Sequence, residues 1–258
     1  MKNIIITKTK KFSSRILFLQ ENRKVTYKSL YKNCEKKINF LNFGNLILIV
    51  ADNSLDFFEI YFYALKNNIP QILVDQNTNE DDVIKIIKSY KPNYVFLRSK
   101  ILVKNFPAIK TNFNNYFVYN FSKKNIKINS HLALLISTSG STGSSKFVKL
   151  SYENIYDNAK NIVKYLKISK DHTTITTMLP SYSYGLSIIN SHFISGAKII
   201  INNNNFFEKK FWKKLIENKV TSFGGVPFQY EILKKLKFEK IKLKYLKYLT
   251  QAGGSMNK

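Results

Sequence analysis

The sequence predicts an α/β fold made of two α/β subdomains, in which largely parallel sheets are flanked by helices. Short apolar runs that suit buried strands alternate with longer amphipathic segments that suit helices. At 258 residues the chain is long enough to bury a sizeable core, as one large domain or two small ones. The alternation weakens between residues 99 and 130, so we expect a first subdomain over residues 1–125 and a second over residues 126–258.

The first half of the chain supplies the clearest alternation. Residues 15–20 alternate like a strand, residues 21–24 have the polarity of a turn, and Thr26 is placed to cap a helix through Leu41. The elements expected next are a strand at 46–50, a helix at 55–65, a strand at 71–75, a helix capped by Asn79 and a strand at 94–97. Strands separated by helices in this way favour a parallel sheet covered on both faces.

The second half opens with an apolar run at residues 132–136, which is short enough for a strand buried on both faces. Ser151 is then placed to cap a helix with an apolar stripe at helical spacing. The later expectations are a β-rich segment at 173–179, a helix from about 186 to Gly196, a strand at 197–201, a helix at 206–218, a strand at 220–226, a helix with Pro227 in its first turn, and a strand from Tyr248.

The charge balance is strongly basic, with 42 Lys and Arg against 16 Asp and Glu and a net charge of +26. Such a charge usually suggests nucleic acid or an anionic membrane as partner. Only three of the basic residues are arginine, the better residue for reading phosphates and bases, and the lysines are spread along the whole chain. They lie among Asn, Ile, Phe and Tyr, all of which have A/T-rich codons, so a compositional bias explains the charge and we expect no specific nucleic-acid partner.

Cysteine usage and the apolar runs indicate the compartment. Cys34 is the only cysteine, so no internal disulfide can form, which is compatible with a reducing environment. The first twelve residues lack the apolar core of a signal peptide, and no apolar run is long enough to span a bilayer. We therefore predict a cytoplasmic protein without a membrane span.

Residues 137–146 consist almost only of Ser, Thr and Gly and are closed by Lys146. Glycines let backbone N–H groups approach a ligand, hydroxyls add donors and the lysine adds a cation, a combination that suits a polyphosphate. A flexible Ser/Gly linker is the alternative, but both flanks have the pattern of structured elements. The segment fits neither a Walker loop nor a Gly-x-Gly-x-x-Gly dinucleotide motif.

This segment resembles the signature of the adenylate-forming (AMP-binding) superfamily, which includes acyl-CoA synthetases, peptide-synthetase adenylation domains and luciferases. Its usual form is Thr-Ser-Gly-Ser/Thr-Thr-Gly-x-Pro-Lys-Gly, and here Ser145 and Phe147 replace the proline and the last glycine. The resemblance implies that the matching residues bind the β- and γ-phosphates of ATP. These residues are Thr138, Ser139, Gly140, Ser141, Thr142, Gly143 and Lys146.

A second resemblance begins at Pro180. The family has a Pro-x-x-His-x-x-Gly element here, which places a ring at the mouth of the acyl pocket. In this sequence the distance from Pro180 to Gly185 is one residue shorter and the histidine is absent. Tyr182 or Tyr184 would take its place, and the alternative is that both tyrosines simply pack at a strand-to-helix corner.

The last resemblance is the strand that leads into Ala252, Gly253 and Gly254, which is similar to the family's turn beside the adenine and the acyl group. Ordinary turn glycines are the alternative. The resemblance runs from about residue 15 to the end and implies the N-terminal part of an adenylate-forming enzyme's large domain. The family's Mg²⁺-binding glutamate, ribose-binding aspartate and catalytic lysine belong to segments not found in this sequence, so we expect no catalytic and no metal-binding residue in it.

The function that the resemblance implies is activation of a carboxylic acid by ATP to an acyl-adenylate, followed by transfer to a thiol acceptor such as CoA or a carrier protein. We expect this chain alone to be inactive or incomplete, either truncated by a frameshift or gene break or completed by a separately encoded C-terminal part. A non-enzymatic nucleotide-binding or interaction module is the alternative, and a nucleic-acid-binding protein is disfavoured because the lysines are not clustered. Cys34 and the histidines, which are His131, His172 and His192, are interpreted as structural or surface residues.

Overall fold

The computed structural model describes residues 4–99, 108–109, 111–122, 127–137 and 147–255. The strands are β1 Ile16–Gln20, β2 Arg23–Thr26, β3 Ile47–Ala51, β4 Gln71–Asp75, β5 Tyr94–Leu97, β6 Ala108–Ile109, β7 Phe117–Asn120, β8 Leu132–Ser137, β9 Phe147–Ser151, β10 Thr173–Ile175, β11 Lys198–Ile200, β12 Ser222–Gly225 and β13 Tyr248–Gln251. The α-helices are α1 Ile4–Thr9, α2 Tyr27–Lys37, α3 Leu55–Lys66, α4 Glu80–Tyr90, α5 Tyr152–Leu166, α6 Ser183–Ser195, α7 Lys209–Glu217 and α8 Pro227–Lys235, and short 3₁₀ turns lie at Lys10–Phe12 and Phe238–Lys240. Within these described segments, none of the helices has both the length and the apolar character needed to cross a membrane.

The strands form two sheets. The first sheet has the order β6-β7-β5-β3-β4-β8-β9, and the second has the order β13-β12-β10-β11-β1-β2. Pairing is parallel from β5 through β3 and β4 to β8, and from β13 through β12, β10 and β11 to β1, while antiparallel pairs lie towards the edges. The prediction of an α/β fold with largely parallel sheets flanked by helices is therefore confirmed.

Each sheet takes strands from both sides of residue 125. The early strands β1 and β2 belong to the second sheet, and the later strands β8 and β9 belong to the first. The place of β1 in the second sheet depends on its parallel pairing with β11, in which Phe18 is opposite Ile199. This contact joins residues that are far apart in the sequence, so no local pattern reveals it. The division into sheets thus differs from the predicted division of the chain at residue 125, and a subdomain boundary there stays a prediction.

Helices α3 and α6 share one apolar cluster with both sheets. Alternate residues of β3, such as Ile47 and Ile49, belong to this cluster, whereas Leu48 and Val50 face a separate cluster on the α4 side. Eleven of the twelve residues of α3 are buried. The ring of Phe18 in β1 stacks on Phe58 of α3 at a centroid distance of 4.8 Å. The apolar character of α3, in a chain otherwise rich in lysine, is thus explained by its position in the core.

Several local elements differ from the sequence predictions. Helix α2 ends at Lys37 rather than at Leu41, because Ile38 leaves the helical region at φ −136°. Arg23 pairs with Gln20 across the β1–β2 hairpin, so residues 23 and 24 are strand and only Glu21, at φ 52°, and its neighbour make the turn. The strand β9 was not predicted, because Phe147–Ser151 lacks the continuous apolar run of a strand such as β3.

The N-terminus of α5 gives a stability prediction. Ser151 Oγ accepts from the Asn154 N–H at 3.0 Å, and Asn154 Oδ1 accepts from the Ser151 N–H at 3.0 Å. Ser151→Ala should therefore lower the free energy of unfolding by about 1 kcal/mol, measured by urea denaturation. Ser151→Thr keeps the hydroxyl and serves as the control. Equal midpoints for the two variants would show that the cap contributes nothing.

Candidate active site

The serine- and glycine-rich segment joins two neighbouring strands of the first sheet. Ser137 at the end of β8 is opposite Phe147 at the start of β9, and the two strands run antiparallel. The predicted phosphate-binding residues Thr138–Lys146 lie outside the described residues. Both ends of the segment are nevertheless fixed at the carboxyl end of β8, beside the carboxyl end of the parallel strand β4. This is the edge at which open α/β sheets bind ligands.

The start of α6 lies against the same edge. Ser181 Oγ donates to Oδ2 of Asp75, the last residue of β4, at 2.7 Å. A Cβ at Gly185 would lie 2.5 Å from the carbonyl oxygen of Leu179, so this close approach requires glycine. Tyr182 is 52% exposed, and the nearby charge of Asp75 raises its pKa. Tyr182 is therefore a surface residue close to Asp75 at the end of β4.

Tyr184 points the other way, towards the second sheet. Its Oη donates to Thr250 Oγ1 at 2.8 Å. A Cβ on Gly224 would lie 2.5 Å from Ile188 Cδ1 and 2.7 Å from Tyr184 Oη, so the glycine leaves space for this hydrogen bond. Burial raises the pKa of Tyr184, which keeps the phenol protonated at neutral pH. The two tyrosines of this element thus occupy different environments.

Two cavities lie on either side of Tyr184. The first cavity, of 640 Å³, lies between α5, α6 and the strands β10, β12 and β13. The second cavity, of 530 Å³, lies between α5, α6 and the hairpin of β8 and β9 that carries the glycine-rich segment. Tyr184 lines both cavities, as do Ser187 and Asn158. Both volumes are in the range of about 300–1,000 Å³ that is usual for small-molecule sites.

Polar side chains line the part of the first cavity formed by the starts of β12 and β13, which we call its deep end. It consists of His192 on α6, Ser222 on β12 and Tyr248 on β13. His192 is 3% exposed and Ser222 is 2% exposed. Tyr248 Oη is buried and has no hydrogen-bond partner among the described residues. Burial raises the pKa of Tyr248, and the neighbouring Ser222 partly offsets that rise.

The tautomer of His192 follows from its contacts. Nδ1 lies 2.8 Å from the carbonyl oxygen of Ile188, which can only accept, so Nδ1 carries the proton. Nε2 then holds a lone pair, and its nearest partner, Ser222 Oγ, lies at 3.5 Å. Burial lowers the pKa of His192 to about 4, so the ring is neutral near pH 7. The deep end therefore presents an uncharged acceptor that is at most weakly engaged.

This neutral histidine predicts a pH dependence of stability. The pKa of His192 is lower in the folded chain than the ordinary 6.5, so the unfolded chain binds more protons between those values. Its contribution is present above pH 6.5 and is lost as the pH falls through about 4. Between pH 7 and pH 4, His192→Gln should lose about 3 kcal/mol less stability than the unmodified chain. Parallel losses in urea titrations would show that His192 titrates normally.

The predicted glycine turn follows β13 directly. Gly253 has a φ of 88°, a value that favours glycine. Gln251 Nε2 donates to the carbonyl oxygen of Gly254 at 2.7 Å, closing the turn. The lining of the first cavity extends to Gln251, so Ala252 and the two glycines lie immediately beyond its end. The turn and the start of α6 are thus placed at the same end of this cavity.

The deep end was missed in the sequence, where all three histidines were interpreted as structural or surface residues. The signal available was the spacing on α6, since Tyr184, Ile188 and His192 recur every four residues and therefore share one face of the helix. Ser222 and Tyr248 come together only through the pairing of β12 with β13. In the described part of the chain, no three His, Cys, Asp or Glu side chains are grouped as a metal site would need.

Comparison with known proteins agrees with this architecture. The sequence model of one family, described as AMP-binding enzyme, matches residues 7–258. The chain therefore belongs to the AMP-binding enzyme family. A luciferin 4-monooxygenase of Nipponoluciola cruciata is 24% identical in an alignment of 207 positions that covers 76% of this chain and 38% of the relative. The chain thus spans less than half the length of the curated relatives that it matches.

Solved structures show the same fold. The complex of VinN with L-aspartate superposes with a TM-score of 0.79 at 15% identity, over all of this chain and 70% of VinN. The N-terminal subdomain of Klebsiella oxytoca NpsA, in complex with 3-hydroxybenzoyl-AMSN, superposes with a TM-score of 0.76 at 18% identity, over 99% of this chain and 67% of that one. At these identities the likeness defines the fold alone.

Proposed function

We propose that this chain is the acid- and ATP-binding part of an adenylate-forming enzyme that activates a carboxylic acid. The observation that carries the proposal is the position of Tyr184, which lines both the first cavity and the second cavity. The second cavity lies beside the hairpin of β8 and β9 that carries the glycine-rich segment. An acid in the first cavity and phosphates at the hairpin would meet near this residue. Membership of the AMP-binding enzyme family supports the same pairing of ligands.

In the proposed reaction, a carboxylate oxygen attacks the α-phosphorus of ATP. A new P–O bond forms, the bond from the α-phosphorus to the bridging oxygen breaks, and pyrophosphate leaves with that electron pair. The proposed roles are phosphate binding by Thr138–Gly143 and Lys146, and positioning of the acid between Tyr184 and the Gly253–Gly254 turn. Holding the two reactants in this geometry is the contribution that these residues would make.

Mg²⁺ would neutralise charge on the phosphates when it is bound. The described residues fit such a role poorly, because they contain no cluster of three His, Cys, Asp or Glu side chains. We therefore assign no step to a metal held by these residues. Transfer of the acyl group to a thiol, on CoA or a carrier protein, is the proposed second half of the reaction, and residues beyond this chain are proposed to take part in it.

Lys146 provides the test of the phosphate site. Loss of one charge-assisted hydrogen bond should weaken binding of ATP about 10- to 100-fold in Lys146→Ala, measured by calorimetry. Lys149→Ala is the matched control, because Lys149 lies only three residues away in the sequence and is exposed on β9. Equal effects of the two substitutions would mean that bulk positive charge alone binds the nucleotide, and would contradict the proposed role of the segment.

A second measurement separates an enzyme from a binding module. Acid-dependent exchange of labelled pyrophosphate into ATP is expected if the chain, alone or with a partner chain, forms the acyl-adenylate. Binding of ATP with no exchange under either condition would instead favour a nucleotide-binding module without activity.

A further inference from the structure

The first cavity is uncharged, although the chain as a whole is strongly basic. The chain has 42 basic residues, yet no Lys, Arg, Asp or Glu is found among the described residues that line this cavity. An α-ammonium group would therefore find no counter-ion there, and a second carboxylate would find no cation. Burying either charge without a partner is costly. The lining thus selects against amino acids and against acids with a charged tail.

The depth of the cavity follows from its strands. Ser222 and Tyr248 are register neighbours at the starts of β12 and β13, and Gly225 and Gln251 are register neighbours at their ends. Three residues of strand extend about 10 Å. An acid whose carboxylate lies near the glycine turn would need about that length to reach the deep end.

Hydrogen bonding at the deep end is incomplete. Tyr248 Oη is buried and has no hydrogen-bond partner among the described residues, and the hydrogen-bond partner of His192 Nε2 is Ser222 Oγ, at 3.5 Å. That distance is longer than a normal hydrogen bond. Buried polar groups normally find partners, and leaving them unpaired costs free energy. Because both residues line the first cavity, a single ligand group at its deep end can be placed between them.

We propose that the activated acid is uncharged apart from its carboxylate, is about 10 Å long, and carries at its far end a neutral hydrogen-bond donor such as a hydroxyl. The donor proton goes to His192 Nε2, and Tyr248 Oη donates to the oxygen of the same group. This inference rests on the proposed acid-binding function of the first cavity and names the substrate class that the cavity takes.

The test uses three acids of one shape, 4-hydroxycinnamate, 4-methylcinnamate and 4-carboxycinnamate, titrated calorimetrically into the full chain with ATP present. The hydroxy acid should bind about tenfold more tightly than the methyl acid. The carboxy acid should bind more weakly than both. Tyr248→Phe should reduce the preference for hydroxyl over methyl to less than about threefold.

Tyr165→Phe is the matched control, because Tyr165 lines the same cavity but is 85% exposed. It should leave the preference unchanged, and thermal melts should show that both variants are folded. The inference is overturned if the methyl or carboxy acid binds at least as tightly as the hydroxy acid, if Tyr248→Phe keeps the tenfold preference, or if no acid binds.

The outcomes also distinguish this inference from the proposed function. The expected ranking of acids without any binding of ATP would support the substrate class and contradict the adenylating role. A different outcome would be tight binding of ATP that depends on Lys146, together with a preference for the methyl acid and pyrophosphate exchange that depends on this acid. That outcome would support the adenylating role and overturn the substrate class.

Discussion

Replacing Lys37 by methionine is expected to lower the free energy of unfolding by about 3–5 kcal/mol, because it removes the cation that the buried carboxylates of Asp56 and Glu59 share and leaves Glu59 with the longer 3.4 Å ion pair to Arg23. Lys37 Nζ lies 2.9 Å from Asp56 Oδ1 and 2.7 Å from Glu59 Oε2. The carboxylate side chains are 2% and 0% exposed, and that of Lys37 is 13% exposed. Such a loss is a large part of the about 5–15 kcal/mol by which domains are stable. Urea denaturation near pH 7 measures it.

Lys85→Met is the matched control, because Lys85 also makes an ion pair at 2.7 Å, with Asp82, but both side chains are exposed. Its denaturation midpoint should stay where it was. A similar loss of stability in both variants would show that removing any lysine charge lowers the free energy of unfolding. The burial of Asp56 and Glu59 would then not explain the effect of Lys37→Met.

The pH dependence of this pair has a defined sign. Burial alone would lower the pKa of Lys37, but the hydrogen bonds and charges of Glu59 and Asp56 outweigh it, and the net shift is upward. The contribution of Lys37 is therefore complete below the ordinary lysine value of 10.5 and is lost only as the pH rises above it. The difference between the chain and Lys37→Met should accordingly be constant from neutral pH to about pH 10.

Elements defined by local chemistry could be predicted from the sequence. The helix caps at Thr26, Asn79 and Ser151 all form, because each side-chain oxygen accepts a hydrogen bond from the backbone N–H three residues later. The strands at 71–75 and 94–97 begin and end where the apolar runs do. In contrast, the membership of β1 in the second sheet depends on its pairing with β11, about 180 residues away. That choice is made by packing, which no local pattern contains.

The candidate site divides in the same way. The glycine-rich segment and the glycine turn are contiguous motifs, so the sequence indicates them, although their roles stay predictions. The deep end is assembled from one helix and two strands, and its chemistry depends on burial and on a tautomer. His192 is an ordinary histidine in the sequence, and only the carbonyl of Ile188 and the burial of the ring make it a neutral acceptor.

The position of α6 depends on Phe193, the residue that follows His192. The ring of Phe193 is fully buried, and its centroid lies 4.0 Å from that of Phe62 on α3 and 5.4 Å from that of Tyr27 on α2. Tyr27 Oη also lies 3.0 Å from the carbonyl oxygens of both Phe193 and Ala197, which share its single hydroxyl proton. The end of α6 that carries the deep end is thus held against the core of both sheets.

Phe193→Ala should therefore lower the free energy of unfolding by about 3–5 kcal/mol, since a buried ring is lost and a cavity remains. Phe207→Ala is the control, because the same atoms are removed from a side chain that is 67% exposed, and its effect should stay within about 0.5 kcal/mol. Below the melting temperature of Phe193→Ala, we expect weaker binding of 4-hydroxycinnamate, because the end of α6 that carries His192 is no longer held in position. Binding of ATP should be unchanged. Loss of both affinities together would mean that the whole fold has loosened. Retention of both would mean that α6 is positioned by contacts other than those of Phe193.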